Sequence, residues 1–343
     1  MKKFALSLLL VLAFAACGMA AEKPEVTSVR WARANSGNVL VTLAKENGYL
    51  KEVGIDIIEM PLNSTHDALT ALSTKQVDVT SNNGTNNPLQ FMASGSDFTM
   101  VGGYMLKGMY IVAKKGTGWK GIGDLVGKRV AAPKSQTWIT GPLMDAGYNI
   151  DDVTWLTYST NSDRLAAVIA GEADYASLSG DLLFRVGNMK DELEIVAWAD
   201  DLMPNYGCCR MNMHTDFVRA NPITVKLILK CLIRAEQFLR SRPDESVKIL
   251  AKELNAEEAF VAAYLKNPNY TPSADPVKHS IKATWDIMMK TGFLAPEAKD
   301  YDLDAHINID LYKAALDELI AERRDEDPAF YDERLEFFRA NNL

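Results

Sequence analysis

Two α/β lobes with a ligand cleft between them are the fold class this sequence predicts, and three observations predict it. The first is an internal repeat. Residues 67–79 read DALTALSTKQVDV and residues 163–175 read DRLAAVIAGEADY. The offset from Asp67 to Asp163 recurs from Leu69 to Leu165, Ala71 to Ala167 and Asp78 to Asp174, and each copy has the pattern of a short helix, a tight turn and a strand. The second is the alternation of strand-like and helix-like segments, which indicates βαβ units and a mostly parallel sheet. The third is length. The chain has 343 residues; about 320 remain once a leader is removed, more than one hydrophobic core usually organises. A cleft between lobes is where small molecules usually bind.

The elements follow in order. Lys2 and Lys3, the apolar run 4–16 and the small residues after it have the order of an export signal, residues 1–20, and the run is too short to span a bilayer. Its cleavage has two readings. Phe14-Ala15-Ala16-Cys17 resembles a lipobox, in which Cys17 would be lipidated and become a lipid anchor; Gly18 and Ala20 instead suit cleavage after Ala20. Residues 26–32 read as a strand, 39–45 as a helix stopped by Asn47-Gly48, and 54–59 as a second strand of alternating apolar and charged residues. Ser64 or Thr65 caps a helix over 66–72. A strand at 77–80 runs into the polar loop 81–88, then a helix from Leu89 and a strand at 98–103. Residues 110–113 read as a crossing strand, and 114–123 separate the lobes.

The second lobe repeats the order, with strands at 128–132, 154–158, 173–177 and 194–199, and residues 208–214 return the chain to the first. After Pro222 the spacing is helical over 223–239, 245–254, 256–266, 280–289 and 311–320, with Thr271-Pro272 and Asp275-Pro276 as breaks. The acidic stretch 322–338 reads as a solvated helix ending that packs through Phe330, Leu335 and Phe338.

Formal net charge is −8, and −10 without Lys2 and Lys3, so nucleic acid is a poor partner. The four cysteines, Cys17, Cys208, Cys209 and Cys231, are no disulfide framework, and Cys231 falls in an apolar helix pattern as a buried thiol. Cys208-Cys209 stays open between a strained vicinal disulfide, thiols facing a ligand or metal, and two small residues on opposite faces of one strand. The isolated His66, His214, His279 and His306 offer no zinc spacing, so no metal and no cofactor is expected.

Five blocks then add up to a resemblance. Residues 48–56 (GYLKEVGID), 68–72 with 77–79, 124–130 (DLVGKRV), 165–174 (LAAVIAGEAD) and 217–222 (FVRANP) resemble, in order, the sequence blocks of the nitrate/sulfonate/taurine family of periplasmic solute-binding proteins, over residues 28 to 300. The chain departs from that family at Lys75-Gln76, at the asparagine-rich loop 82–87 and at Cys208-Cys209-Arg210. The resemblance implies a type II periplasmic-binding-protein fold, with residues 25–112 and 213–343 as lobe 1 and 113–212 as lobe 2. It implies a monomer on the extracytoplasmic side that clamps a small polar organic molecule or anion and hands it to an ABC permease and its ATPase. A ligand-sensing module for a receptor, and an enzyme of pyrimidine synthesis with the same fold, are the alternatives; the export signal argues against the enzyme. No GxSxG, HExxH or phosphate loop marks a catalytic residue.

Ligands in such sheets lie beyond the carboxyl ends of strands. Four loops qualify, each just before a helix pattern: Asn35-Ser36; Asn82, Asn83, Gly84 and Thr85 with Asn86; Ser135, Gln136 and Thr137; and Ser179-Gly180-Asp181. Their short polar side chains and the N–H groups of helix starts suit oxyanions and carbonyls, although one Ser or Thr alone is as well explained as a helix cap. Asp181 pairs with a ligand amine or caps the helix at Leu182. Trp138 and Tyr104 are stacking surfaces or core, and Arg33 is a carboxylate or sulfonate binder or an ordinary surface arginine.

Overall fold

The computed structural model describes residues 22–33, 38–62 and 64–343. The export signal at residues 1–20, Cys17, Asn35 and Ser36 lie outside the described residues. Eleven strands are described: β1 (Ser28–Arg33), β2 (Asp56–Pro61), β3 (Val79–Thr80), β4 (Phe98–Lys107), β5 (Met109–Lys114), β6 (Arg129–Ala131), β7 (Thr154–Leu156), β8 (Tyr175–Ser179), β9 (Leu193–Trp198), β10 (Cys209–His214) and β11 (Tyr270–Pro272). They form two sheets, six strands in the order β11-β4-β10-β3-β1-β2 and five in the order β7-β6-β8-β5-β9. With the helices around them these are the two α/β lobes.

The sequence repeat is a structural repeat. Ser64 accepts a hydrogen bond from the Asp67 N–H (3.1 Å), and Thr160 one from the Asp163 N–H (3.1 Å), so both helices start on the same cap. Both helices end in the same turn. The Ala71 carbonyl accepts the N–H groups of Gln76 and Val77, and the Ala167 carbonyl those of Glu172 and Ala173. Lys75 and Gly171, at equivalent positions, share a left-handed conformation (φ 59° and 77°), which glycine adopts without strain. Each repeat then closes on an arginine fork. Arg30 grips Asp78 through Nη2 (2.6 Å) and Nε (3.1 Å), and Arg129 grips Asp174 through Nη2 (2.8 Å) and Nε (3.2 Å). In both, the aspartate also accepts the arginine's own backbone N–H at 2.8 Å, locking the new strand beside its parallel neighbour.

The sheets are less parallel than the alternation predicts. Only β2, β1 and β3, and β7, β6 and β8, run parallel. The strands that carry the chain between sheets, β4, β5, β9 and β10, pair antiparallel. The first crossing is Lys107-Gly108, both with positive φ (61° and 77°). A Cβ on Gly108 would meet the Met105 sulfur at 2.8 Å, so only glycine fits the corner. Residues 110–113, expected to cross, lie within β5 in the second sheet. Residues 208–214 do return the chain, as β10 between β4 and β3.

Helix Pro222–Ser241 begins with proline at its first turn and presents Val225, Ile228, Leu229, Leu232 and Ile233 as one buried stripe. Burying each such side chain contributes about 1.5–3 kcal/mol. It packs between helix Val39–Glu46 and helix Asp310–Arg323. The acidic stretch is two helices, since Pro328 restarts the chain after Asp310–Arg323; Phe330 and Phe338 of Pro328–Asn342 are buried and Leu335 half-buried, as expected. β11 went unread because Thr271-Pro272 looks like a break. It is an edge strand with proline at its end, where the missing N–H costs little.

Candidate functional site

The strand ends of both sheets open onto one cavity of about 570 Å³. From the first lobe it is lined by Arg33 at the end of β1, Ser64 and Thr65 at the start of helix Thr65–Ser73, residues 82–87 after β3, and Tyr104 and Met105 of β4. The second lobe contributes Met109 at the start of β5, Pro133, Ser135 and Gln136 after β6, Asn161 at the start of helix Asn161–Ala170, and Ser179, Gly180 and Asp181 at the end of β8. Tyr206, Cys208 and Cys209 on the returning chain, with Tyr270 of β11, complete the wall.

Of the residues read from sequence, Asn82, Asn83, Gly84, Thr85, Ser135, Gln136, Ser179 and Asp181 all line this cavity. Thr137 does not: it is fully buried behind the wall, and its hydroxyl donates to Asn86 Oδ1 at 3.3 Å. Trp138 is also fully buried and packs near Tyr206. The residues sequence reasoning missed include Thr65 and Asn161, which sit at equivalent places in the two repeats. The repeat offset was the signal that could have found them, and it also relates Asn83 to Ser179 and Thr85 to Asp181. Tyr206 and Tyr270 carried no such signal.

Each loop is held by its own hydrogen bonds. The Thr85 hydroxyl donates to the carbonyls of Gly207 and Cys208 (3.2 Å to the latter), and Asn87 Nδ2 to the Asn83 carbonyl at 3.1 Å. The two lobes touch through Asn86, whose Nδ2 donates to the Ser135 carbonyl. Within the second lobe Gln136 Oε1 accepts the Ser177 hydroxyl at 2.5 Å. Helices Asn86–Ala93 and Thr137–Asp145 start at Thr85 and Gln136 with no side-chain cap, leaving first-turn N–H groups at the cavity edge.

Charge in the cavity is mostly compensated. Arg33 lines it but donates to Glu253 and lies 3.8 Å from Glu59. Asp181 opens to the cavity and does not cap the helix at Leu182; its carboxylate accepts the Ser179 hydroxyl and Asn161 Nδ2 (3.2 Å). Burial in the wall pushes this carboxyl above its ordinary range, while those two hydrogen bonds and the Arg164 charge pull it down. Tyr104 and Tyr270 are both raised by burial. Cys208 and Cys209 are not on opposite faces: their sulfurs are 3.6 Å apart.

Away from the cavity, His214 is not isolated. Pairing of β10 with β4 sets it opposite Phe98, and among the described residues Asp97, His214 and Asp216 bring ligand atoms within 4.8 Å of one another. Asp216 already pairs with Lys75 at 2.9 Å. No helix among the described residues is long and apolar enough to cross a membrane.

The sequence pattern of the NMT1/THI5-like family matches residues 35–246. A protein of Brucella abortus (strain 2308), designated a binding protein, is 26% identical over 168 residues, 47% of this chain and 51% of that one. The chain thus spans about half the length of the curated relatives it matches first. The crystal structure of the periplasmic aliphatic sulphonate binding protein SsuA from Escherichia coli aligns over 78% of this chain and 89% of its own, with TM-score 0.66 and 22% identity. That of the periplasmic nitrate-binding protein NrtA from Synechocystis PCC 6803 covers 87% of this chain and 90% of its own, with TM-score 0.70 and 16% identity. At these identities the likeness is one of fold, and it is the periplasmic-binding-protein fold expected from sequence.

Proposed function

Because the chain belongs to the NMT1/THI5-like family and has the periplasmic-binding-protein fold, we propose that it is the extracytoplasmic solute-binding component of an ABC importer. It captures a small polar organic molecule or anion and passes it to a permease driven by an ATPase. The observation that carries this reading is a shared cavity built from the strand ends of both sheets, with polar loops from both lobes lining it. A solute there contacts both lobes only when they are together, so binding shifts an open–closed equilibrium toward the closed state. The work is binding, not catalysis. The lobes divide at the Lys107-Gly108 crossing and again just before β10, the chain acts as a monomer in the periplasm, and the leader is removed, either ahead of a lipidated Cys17 or after Ala20.

Asn82, Asn83, Gly84, Thr85, Ser135, Gln136, Ser179 and Asp181 are the proposed contacts, with Asn35 and Ser36 beyond β1. The uncapped helix starts at Thr85 and Gln136 supply N–H donors for sulfonate, nitrate or carbonyl oxygens. The test is a thermal-melting screen of sulfonates, nitrate, taurine, pyrimidines and aromatic carboxylates. A ligand present at a hundredfold its Kd stabilises the native state by about 2.7 kcal/mol, a shift of several degrees. Asn83→Ala and Ser135→Ala are expected to weaken the hit at least tenfold by isothermal calorimetry. Unchanged affinity in both variants would refute the site assignment. Chemical turnover of the hit would refute the reading as a binding protein.

A further inference from the structure

We propose that Cys208 and Cys209 are a reversible modification site in the cleft wall, a dithiol that exchanges with small-molecule disulfides and closes to a vicinal disulfide. Adjacent side chains on a regular strand point to opposite faces, too far apart to react. Here Cys208 precedes β10 and the strand register shifts between Cys209 and Arg210. The two sulfurs come to 3.6 Å, both thiols are free, and both line the cavity, where a small reagent reaches them.

A positive charge stands behind the pair. Arg210 is fully buried and is anchored by backbone carbonyls: Nη1 donates to those of Asp275 (2.7 Å) and Pro276 (3.1 Å), Nη2 to that of Met105 (2.8 Å). The Cys208 thiol, the Gly84 N–H and this guanidinium all favour the thiolate of Cys209. Cys231 is the contrast. Buried in helix Pro222–Ser241, with its thiol pushed up to about 12 and donating to the Tyr49 carbonyl, it is outside the cavity and unreactive.

The step balances. Cys209 thiolate attacks one sulfur of the external disulfide, forming a mixed disulfide and expelling one thiolate. Cys208 loses its proton and attacks the Cys209 sulfur, expelling the second. The protein loses two electrons and two protons, and the external disulfide becomes two thiols. Consecutive Cα atoms are about 3.8 Å apart, inside the usual disulfide minimum of about 4.4 Å, so the ring is strained and easily reduced. That strain makes the couple reversible and not a permanent staple.

The full chain is incubated with hydroxyethyl disulfide, quenched in acid, denatured, alkylated with N-ethylmaleimide and peptide-mapped. The expected result is a loss of about 2 Da on the peptide carrying residues 208 and 209, neither alkylated, with Cys231 alkylated. Dithiothreitol added to the native protein restores both thiols, and Cys208→Ser stops at a mixed disulfide on Cys209. Stable mixed disulfides on the wild type, pairing with Cys17 or Cys231, or two thiols unchanged by the reagent would each overturn the proposal. The wild-type map decides even where the serine variant fails to fold.

Discussion

Glu236→Gln tests the polar packing behind the cavity through the pH dependence of stability. Glu236 lies on the inner face of helix Pro222–Ser241, 5% exposed. Its Oε1 accepts the Ala274 N–H at 2.5 Å, and Oε2 lies 3.8 Å from Arg334 Nη1. Burial pushes this carboxyl up to about 7, against the pull of the Arg334 charge and the Ala274 N–H. Asp275, itself raised by burial, adds to the rise. The folded protein therefore keeps a proton on Glu236 over a range where the unfolded chain, titrating near 4.5, has released it. More protons bound in the native state mean that stability falls as pH rises.

The fall is about 1.4 kcal/mol per pH unit between those two values, about 3 kcal/mol in all, and it ends above pH 7. Gln keeps a carbonyl for Ala274 and carries no proton, while Asp275, Arg334 and Tyr312 are common to both proteins. Urea unfolding followed by tryptophan fluorescence, at half-unit steps from pH 4.5 to 8, measures the difference. The wild type is expected to lose about 3 kcal/mol relative to the variant across that range. Parallel curves for the two proteins would refute the reasoning.

Gly103→Ala is expected to cost more than about 3 kcal/mol or to abolish folding, because the new Cβ would lie 2.4 Å from the Asp275 carbonyl oxygen and 2.5 Å from that of Ser273, both backbone atoms that cannot step aside. A urea midpoint within error of wild type would contradict this. Asn86→Ala removes the hydrogen bonds to Ser135 and Thr137 that join the lobes; at about 1 kcal/mol each, their loss shifts the open–closed balance roughly tenfold or more. Small-angle scattering is expected to give a larger radius of gyration for the ligand-free variant, and an unchanged radius counts against the contact as a latch.

Local patterns in the chain were legible. Caps at Ser64 and the repeated Asp-Leu-Ala spacing define helices through neighbours a few residues away, so both α/β units could be read directly. Strand direction could not. Whether β10 runs with or against β3 depends on how the chain returns from the second sheet, which is a matter of tertiary arrangement and not of local pattern. The polar loops at the cavity were found because strand ends before helices are local features, whereas Tyr206 and Tyr270 join the wall only through tertiary packing. Thr137 has the composition of a lining residue but points into the protein, and the sequence holds no mark of its orientation. The meeting of Cys208 and Cys209 depends on a register shift beside Arg210, an irregularity that alternation rules cannot anticipate.

The arginine forks at Asp78 and Asp174 have a consequence for how such a molecule changes over evolutionary time. Each fork fastens a strand at its beginning, and the segment that meets the solute leaves from that strand's far end. Scaffold and chemistry are thereby separated along the chain. A duplicated frame can keep its fasteners while one mouth becomes Asn-Asn-Gly-Thr and the other Ser-Gly-Asp. Twin foundations with unlike doorways give an asymmetric solute one preferred way to enter, and they let selectivity drift without loosening either half.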